Sequence, residues 1–188
     1  AISLYRPDGF PVDEKLPTLI NQTCYWRCFK IRWPYSLILS GAPYFIKYIV
    51  PRGYNYVIVD ARGTGASSGG RPFNRVSEET RDFVEIVDWI VGQSWSNGKV
   101  VTEGVSYMGA TASIAAASKH PALVAAVPQF AVFDTYEEFY YPGGILCERI
   151  IKRWSDQATK LQRGRADNGN WFMGQLVTSV VPVDDDHD

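Results

Sequence analysis

The residues best placed to do chemistry lie in one short run, Val100-Val101-Thr102-Glu103-Gly104-Val105-Ser106-Tyr107-Met108-Gly109. A strand-like apolar stretch runs into a serine, and a small-residue helical stretch begins at once. A serine at such a junction can be held in a strained turn that lifts its hydroxyl above the edge of a sheet. There it can attack an ester or amide carbonyl, form an acyl-enzyme and pass the acyl group to water. The position before such a turn must be small, because a bulky group at Gly104 would meet the neighbouring chain. The helix start aims backbone N–H groups at a developing oxyanion, and the Tyr107 N–H is the expected donor. The spacing departs from G-x-S-x-G: Met108 holds the second glycine position and Gly109 follows it. A plain strand-to-helix turn would use the same residues, so the elements around the serine must decide.

Those elements alternate. Residues 2–5 read as the end of a strand, closed by the turn signal Pro7-Asp8-Gly9. Residues 18–23 form a short β-prone run, and 24–40 an irregular aromatic stretch. A helix is expected from Pro43 to about Val50, with Phe45, Ile46, Ile49 and Val50 on one stripe. Residues 56–60 are apolar almost throughout, as in a parallel strand covered on both faces. A Gly/Ser-rich loop follows. Ser77-Glu78-Glu79-Thr80 opens a helix to about Gly92, with Phe83, Ile86, Val87, Ile90 and Val91 at helical spacing. Asn97-Gly98 reads as a turn, 99–103 as a strand, 106–119 as a helix, and 123–133 as holding one more strand. This alternation predicts an α/β domain with a mainly parallel sheet. After Asp134 come helical stretches broken at Pro142-Gly143-Gly144. We divide the chain into an α/β core at 1–134 and a helical insertion at 135–188.

Composition excludes several classes. The chain has 188 residues, 46% of them hydrophobic and 21% charged, a globular profile. With 19 Lys+Arg against 20 Asp+Glu, it has no electrostatic reason to bind nucleic acid or an anionic membrane. No apolar run approaches the ~18 residues of a membrane span. Three Cys cannot form a fully paired framework, and Cys24, Cys28 and Cys147 complete no metal-ligand spacing. The loop around Gly63 and Gly65 lacks both G-x-x-x-x-G-K and G-x-G-x-x-G, which argues against a phosphate cradle and a dinucleotide domain. No cofactor and no metal is expected. The opening residues lack a basic region followed by an apolar one and read as a chain already in progress. Location stays open between the cytoplasm and export with a signal removed.

Several landmarks together resemble one family. Gly104-Val105-Ser106-Tyr107-Met108-Gly109 resembles the G-x-S-Y-x-G elbow of the Xaa-Pro dipeptidyl-peptidase and cocaine esterase family of α/β-hydrolases. Residues 56–67 resemble its strand followed by D-x-R-G-x-G-x-S. Trp89-Ile90 and Trp95-Ser96-Asn97-Gly98-Lys99-Val100 resemble its W-I/L and W-S-N-G-x-V segments. Tyr141-Pro142-Gly143-Gly144 is similar to the segment opening its helical cap, and Leu4-Tyr5-Arg6-Pro7 to the end of its first strand. The resemblance implies an α/β-hydrolase fold, here an incomplete sheet with the start of a cap. It also aligns Pro17-Thr18-Leu19-Ile20-Asn21-Gln22-Thr23-Cys24-Tyr25 with a strand ending in a P-Y pair. The tyrosine hydroxyl of that pair is a second oxyanion donor. Tyr25 takes that role here, with Cys24 in place of the usual proline. Tyr25 directly follows a strand, which suits the role, and an aromatic packing residue is the alternative.

The order expected of such hydrolases is serine, then acid, then histidine. Of the 2 His, His120 ends the helix that Ser106 begins, roughly 20 Å away at ~1.5 Å per residue, too far to be the base, and suits a helix C-cap. His187 sits in an acidic tail, which reads as solvated. Asp134 reads as a cap for the next helix rather than the acid. Asp60 and Arg62 read as loop contacts.

The expected function is therefore hydrolysis of a small ester, amide or peptide by Ser106, possible dipeptide release after proline included. Acid and base would come from a C-terminal hydrolase segment or a second chain, so the 188 residues alone are expected to be inactive. Tyr140, Tyr141 and Trp154 are candidates for the substrate pocket. The alternative is an inactive hydrolase-like fragment that acts by binding.

Overall fold

The computed structural model describes residues 1–38, 45–70, 77–162 and 177–180. In chain order its strands are β1 (Ile2–Tyr5), β2 (Leu16–Thr23), β3 (Phe29–Ile31), β4 (Asn55–Asp60), β5 (Ser96–Val105), β6 (Leu123–Gln129) and β7 (Val177–Val180). Its helices are α1 (Ile46–Ile49), α2 (Ser77–Val91), α3 (Tyr107–Ala117) and α4 (Glu148–Gln162). Five strands form one sheet in the order β1-β4-β2-β5-β6. Only β1 runs antiparallel to its neighbour; β4, β2, β5 and β6 are parallel.

Parallel strands need crossover connections: the segment holding α1 joins β2 to β4, α2 joins β4 to β5, and α3 joins β5 to β6. Helices α2 and α3 cover the same face. Phe83, Val87 and Ile90 of α2 and Ala115 of α3 pack with Ile20, Val57, Val59 and Val100. The small residues of α3 let it lie close to the sheet: Ala110, Ala112 and Ala115 are buried, and the Thr111 hydroxyl donates to the Gln22 carbonyl at 3.0 Å. Val50, Tyr56 and Ile58 form the core of the other face, with Ile46 and Ile49 of α1 against it. All six residues of β4 are buried, as its continuous apolar run requires. Among the described residues no helix is long and apolar enough to cross a membrane.

Three local expectations are corrected. Asn97-Gly98 lies inside β5, not in a turn before it. Leu16 faces Ser96 while Thr18 faces Val100, so β5 carries two extra residues in a bulge. Gly98 takes φ +79 there, and Ser96 Oγ and Asn97 Oδ1 accept the N–H groups of Gly98 and Lys99. The helix expected from Pro43 is shorter: α1 spans four residues, and a 3-10 turn at Val50–Arg52 follows, closed by Gly53 at φ +85. Its expected opening residues lie outside the described ones. The stretch 24–40 is not wholly irregular, because β3 pairs antiparallel with β7.

Beyond β6 the chain makes a wide π turn at Tyr136–Tyr140, a 3-10 turn at Pro142–Gly144 and then α4. Asp134 Oδ1 accepts the N–H groups of Tyr136 (2.8 Å) and Glu137 (3.2 Å), the cap read from the sequence. Within α4 an exposed Lys152–Glu148 pair at 2.6 Å lies one turn apart, while Ala158 is buried.

Candidate active site

Ser106 stands between the end of β5 and the first residue of α3. Its backbone has φ 62 and ψ −121, a region that non-glycine residues rarely occupy. Three contacts hold it there. Its N–H donates to the Gln129 carbonyl at the end of β6 at 3.0 Å, and its carbonyl accepts the Ala110 N–H at 3.0 Å. The third is the close approach of strand and helix. A Cβ on Gly104 would lie 2.6 Å from the Met108 carbonyl carbon. One on Gly109 would lie 2.9 Å from the Gly104 carbonyl oxygen and collide with that of Gln129. The glycine at 109, one place beyond the ordinary motif, thus serves the fit of α3 onto β5 and β6.

Tyr25 follows β2, the strand beside β5. Its N–H donates to Thr23 Oγ1 at 2.9 Å, and its hydroxyl lies 3.3 Å from Ser106 Oγ. Cys24 is buried beside Ala61 and Tyr107. The Tyr25 ring meets the Tyr107 ring edge-on at 6.2 Å and the Trp154 ring at 5.8 Å. A cavity of about 350 Å³ opens at the serine, lined by Ser106, Tyr107, Phe130, Ala131, Val132, Phe139 and Trp154. Among the described residues its lining carries no charged side chain. The structure therefore brings together Ser106, Tyr107, Tyr25 and Trp154. Tyr140 and Tyr141 lie outside that lining: Tyr141 stacks on Tyr136 at 4.6 Å, and Tyr140 meets Phe139 at 5.5 Å. Phe130 and Phe139 line the cavity although the sequence did not single them out. Both fall in aromatic-rich segments, which is a weak signal.

Two buried polar networks brace the strand ends. The Asp60 carboxylate accepts the N–H of Arg27 at 2.5 Å and of Ala66 at 2.9 Å, and Arg27 Nε lies 3.7 Å from it. Burial still pushes the Asp60 carboxyl above its ordinary value, outweighing those hydrogen bonds and the Arg27 charge. Arg62 clamps Asp82 of α2 through Nε and Nη2, so Asp60 and Arg62 are the loop contacts expected. In the second network, Glu103 accepts from Asn21 Nδ2 at 3.0 Å and from the Tyr56 hydroxyl. Burial, and then the Glu103 charge, drives the Tyr56 phenol far above its ordinary value, so it stays protonated and donates. Sequence reasoning missed this network, and it also missed Glu79, whose Oε1 accepts the Tyr107 hydroxyl at 2.9 Å.

His120 sits beyond the far end of α3 from Ser106. Its Nδ1 accepts the Ala122 N–H at 3.1 Å, so Nε2 carries the proton toward Asp88 at 3.0 Å. The C-cap expected of His120 is instead Ser118, and His120 ties the turn after α3 to α2. His187 lies outside the described residues. Among the described residues no group of three or more His, Cys, Asp and Glu is placed to hold a metal.

The model for the X-Pro dipeptidyl-peptidase (S15) family matches residues 1–175. Across its full length the chain is 38% identical to a Mycobacterium bovis protein named "Putative serine esterase", of which it covers 31%. It is 33% identical over 82% of its length to the cocaine esterase of a Rhodococcus species, of which it covers 25%. Among solved structures, a CocE/NonD family hydrolase from Staphylococcus aureus matches 90% of the chain with a TM-score of 0.72 at 27% identity. The chain covers 31% of that structure, so it spans about a third or less of the length of each of these relatives. The chain belongs to the X-Pro dipeptidyl-peptidase (S15) family, whose members are serine hydrolases on the α/β-hydrolase fold.

Proposed function

We propose that Ser106 is the nucleophile of a serine hydrolase that cleaves small carboxylic esters. The observation that carries this is the strained backbone of Ser106 at the head of α3, with the Tyr25 hydroxyl 3.3 Å from its Oγ. Ser106 Oγ attacks the acyl carbon and yields its proton to a base. The carbonyl oxygen becomes an oxyanion, held by the Tyr107 N–H and the Tyr25 hydroxyl. The tetrahedral centre collapses, the alcohol leaves with a proton, and water then frees the acid from the acyl-enzyme. The base and its carboxylate partner come from residues outside 1–188. His120, fixed at the opposite end of α3, supports that assignment. Residues 135–188 open a cap over the site, a reading supported by Trp154 of α4, which packs on Tyr25.

The uncharged, aromatic cavity favours an apolar acyl group. The name of the M. bovis relative points to an ester as well. Release of dipeptides after proline, the activity in the family's description, would need a group that anchors a free amine, and the described lining contains none.

Labelling with a fluorophosphonate tests the assignment. The full-length protein should take up one label on the Ser106 peptide, and Ser106→Ala should take up none. Residues 1–188 alone should label at least 100-fold more slowly, since an oriented base contributes about 10²–10⁴-fold. A full-length protein that never labels overturns the hydrolase reading and leaves the inactive, binding alternative.

A further inference from the structure

Helix α2 carries its buried residues in one stripe: Glu79, Phe83, Val87 and Ile90, each 2% exposed or less. Three of the four are apolar and sit in the core against β2, β4 and β5. The fourth is a carboxylate at the head of the stripe, where the pattern alone would place a leucine or valine. A buried carboxylate is costly unless a donor meets it. The Tyr107 hydroxyl does so at 2.9 Å, and that hydroxyl belongs to a side chain itself only 2% exposed.

Tyr107 has two ties to the site. Its own N–H is the first of α3 after Ser106. Its ring is the surface on which the Tyr25 ring stands edge-on, 6.2 Å between centroids. Cys24 and Ala61 pack around the same ring. Leaving either buried partner without the other would be costly, so this bond holds the far end of the lever.

We propose that Glu79 is a positioning residue of the oxyanion site: through the Tyr107 hydroxyl it fixes the backbone donor of Tyr107 and the wall that seats the Tyr25 donor. This rests on the assignment of those two groups as oxyanion donors. The tie from Glu79 to the site runs through Tyr107. Its effect is on the aim of two groups that act when charge develops, so it belongs to the transition state and not to substrate binding.

The test is a double-variant cycle on the full-length protein, with p-nitrophenyl acetate as substrate. Glu79→Leu, which completes the apolar stripe, should lower kcat about tenfold and leave KM within twofold, as misplacing a donor costs less than the 10²–10³ of deleting one. Tyr107→Phe should cost about the same. The double variant should be no slower than either single one, because both remove the same tie. Glu79→Gln keeps an acceptor oxygen and should lose only about threefold in kcat, a loss that vanishes in the Tyr107→Phe background. If Glu79→Leu does not fold, the cycle with Glu79→Gln decides. Losses that multiply, a KM that rises with kcat unchanged, or rates that follow only the melting temperature overturn the proposal. An unlabelled, inactive wild type instead overturns the parent assignment. An active wild type with indifferent Glu79 variants overturns this inference alone.

Discussion

Ser106 lies between two unlike regions. On the strand side, the residues behind it are buried and tied together by hydrogen bonds. Tyr56, Asp60, Glu79 and Glu103 are each 6% exposed or less, and each has a named partner. On the side of the chain just beyond β6, large apolar groups face outward: Phe130, Phe133 and Ile145 are 90%, 99% and 75% exposed. The role proposed for Ser106 needs both kinds of surroundings. The strained turn must be over-determined by packing, or it relaxes. The surface that receives a substrate must stay open. In residues 1–188 the buried, hydrogen-bonded groups lie behind the serine, and exposed apolar groups lie in front of it.

A matched pair of glycines is the strongest way to break that contrast. Gly65 (φ +56) and Gly143 (φ +63) have nearly the same left-handed backbone. A Cβ on Gly65 would press into the Asp60 carboxylate, 2.6 Å from Oδ1, while one on Gly143 would meet nothing within 4 Å. Gly143→Ala should therefore cost only the backbone strain, about 1 kcal/mol. Gly65→Ala should cost about 3 kcal/mol, because it also displaces a buried hydrogen-bonded acceptor. Urea midpoints of the two variants check this, and equal losses would show that the strand side is no more constrained than the turn at Pro142–Gly144.

The next effect is smaller and depends on pH. Asp60 has a carboxyl raised above its ordinary value near 3.8, chiefly by burial. The folded state thus holds that proton more tightly than the unfolded chain does. Its stabilising contribution is complete below the ordinary value and is lost as pH rises through the folded value. Asp60→Asn removes the titration. The advantage of the wild type over Asp60→Asn should be greatest below pH 3.8 and shrink on the way to neutrality, read from paired urea titrations. An advantage that grows with pH would mean that the Arg27 charge and the two N–H donors outweigh burial.

The same division explains what the sequence discloses. Strands and helices behind the serine follow from local periodicity: β4 from its unbroken apolar run, and α2 from Phe83, Val87 and Ile90. Ser106 is legible because strand, serine and helix adjoin in the chain. Tyr25 is not legible that way. It comes from another strand, and only the resemblance of residues 17–25 to a family pattern singles it out. Asn97-Gly98 misleads because the pair is a strong local turn signal, and only pairing with β2 turns it into a bulge. The pairing of β3 with β7 joins distant segments, and no periodicity reports such a contact. Glu79 is hidden for a different reason. Acidic residues in the first turn of a helix ordinarily complement the helix dipole and face water, so its burial against Tyr107 shows only in three dimensions.

The smallest effect is expected on the open side, where Phe130 and Phe133 provide a control for each other. Both are almost fully exposed, yet only Phe130 lines the cavity beside Ser106. Replacing either by alanine should change the stability of residues 1–188 by no more than about 0.5 kcal/mol, as for exposed sites in general. Their effects on the full-length enzyme should differ. A methylene buried against an apolar wall is worth about 0.8 kcal/mol, close to fourfold in binding. Phe130→Ala should therefore reduce the preference for p-nitrophenyl butyrate over acetate by about threefold in kcat/KM, and Phe133→Ala should leave it within experimental error. If Phe133→Ala shifts that preference equally, the acyl group does not lie in the cavity lined by Phe130, Phe139 and Trp154. The open side would then act as one undivided apolar surface.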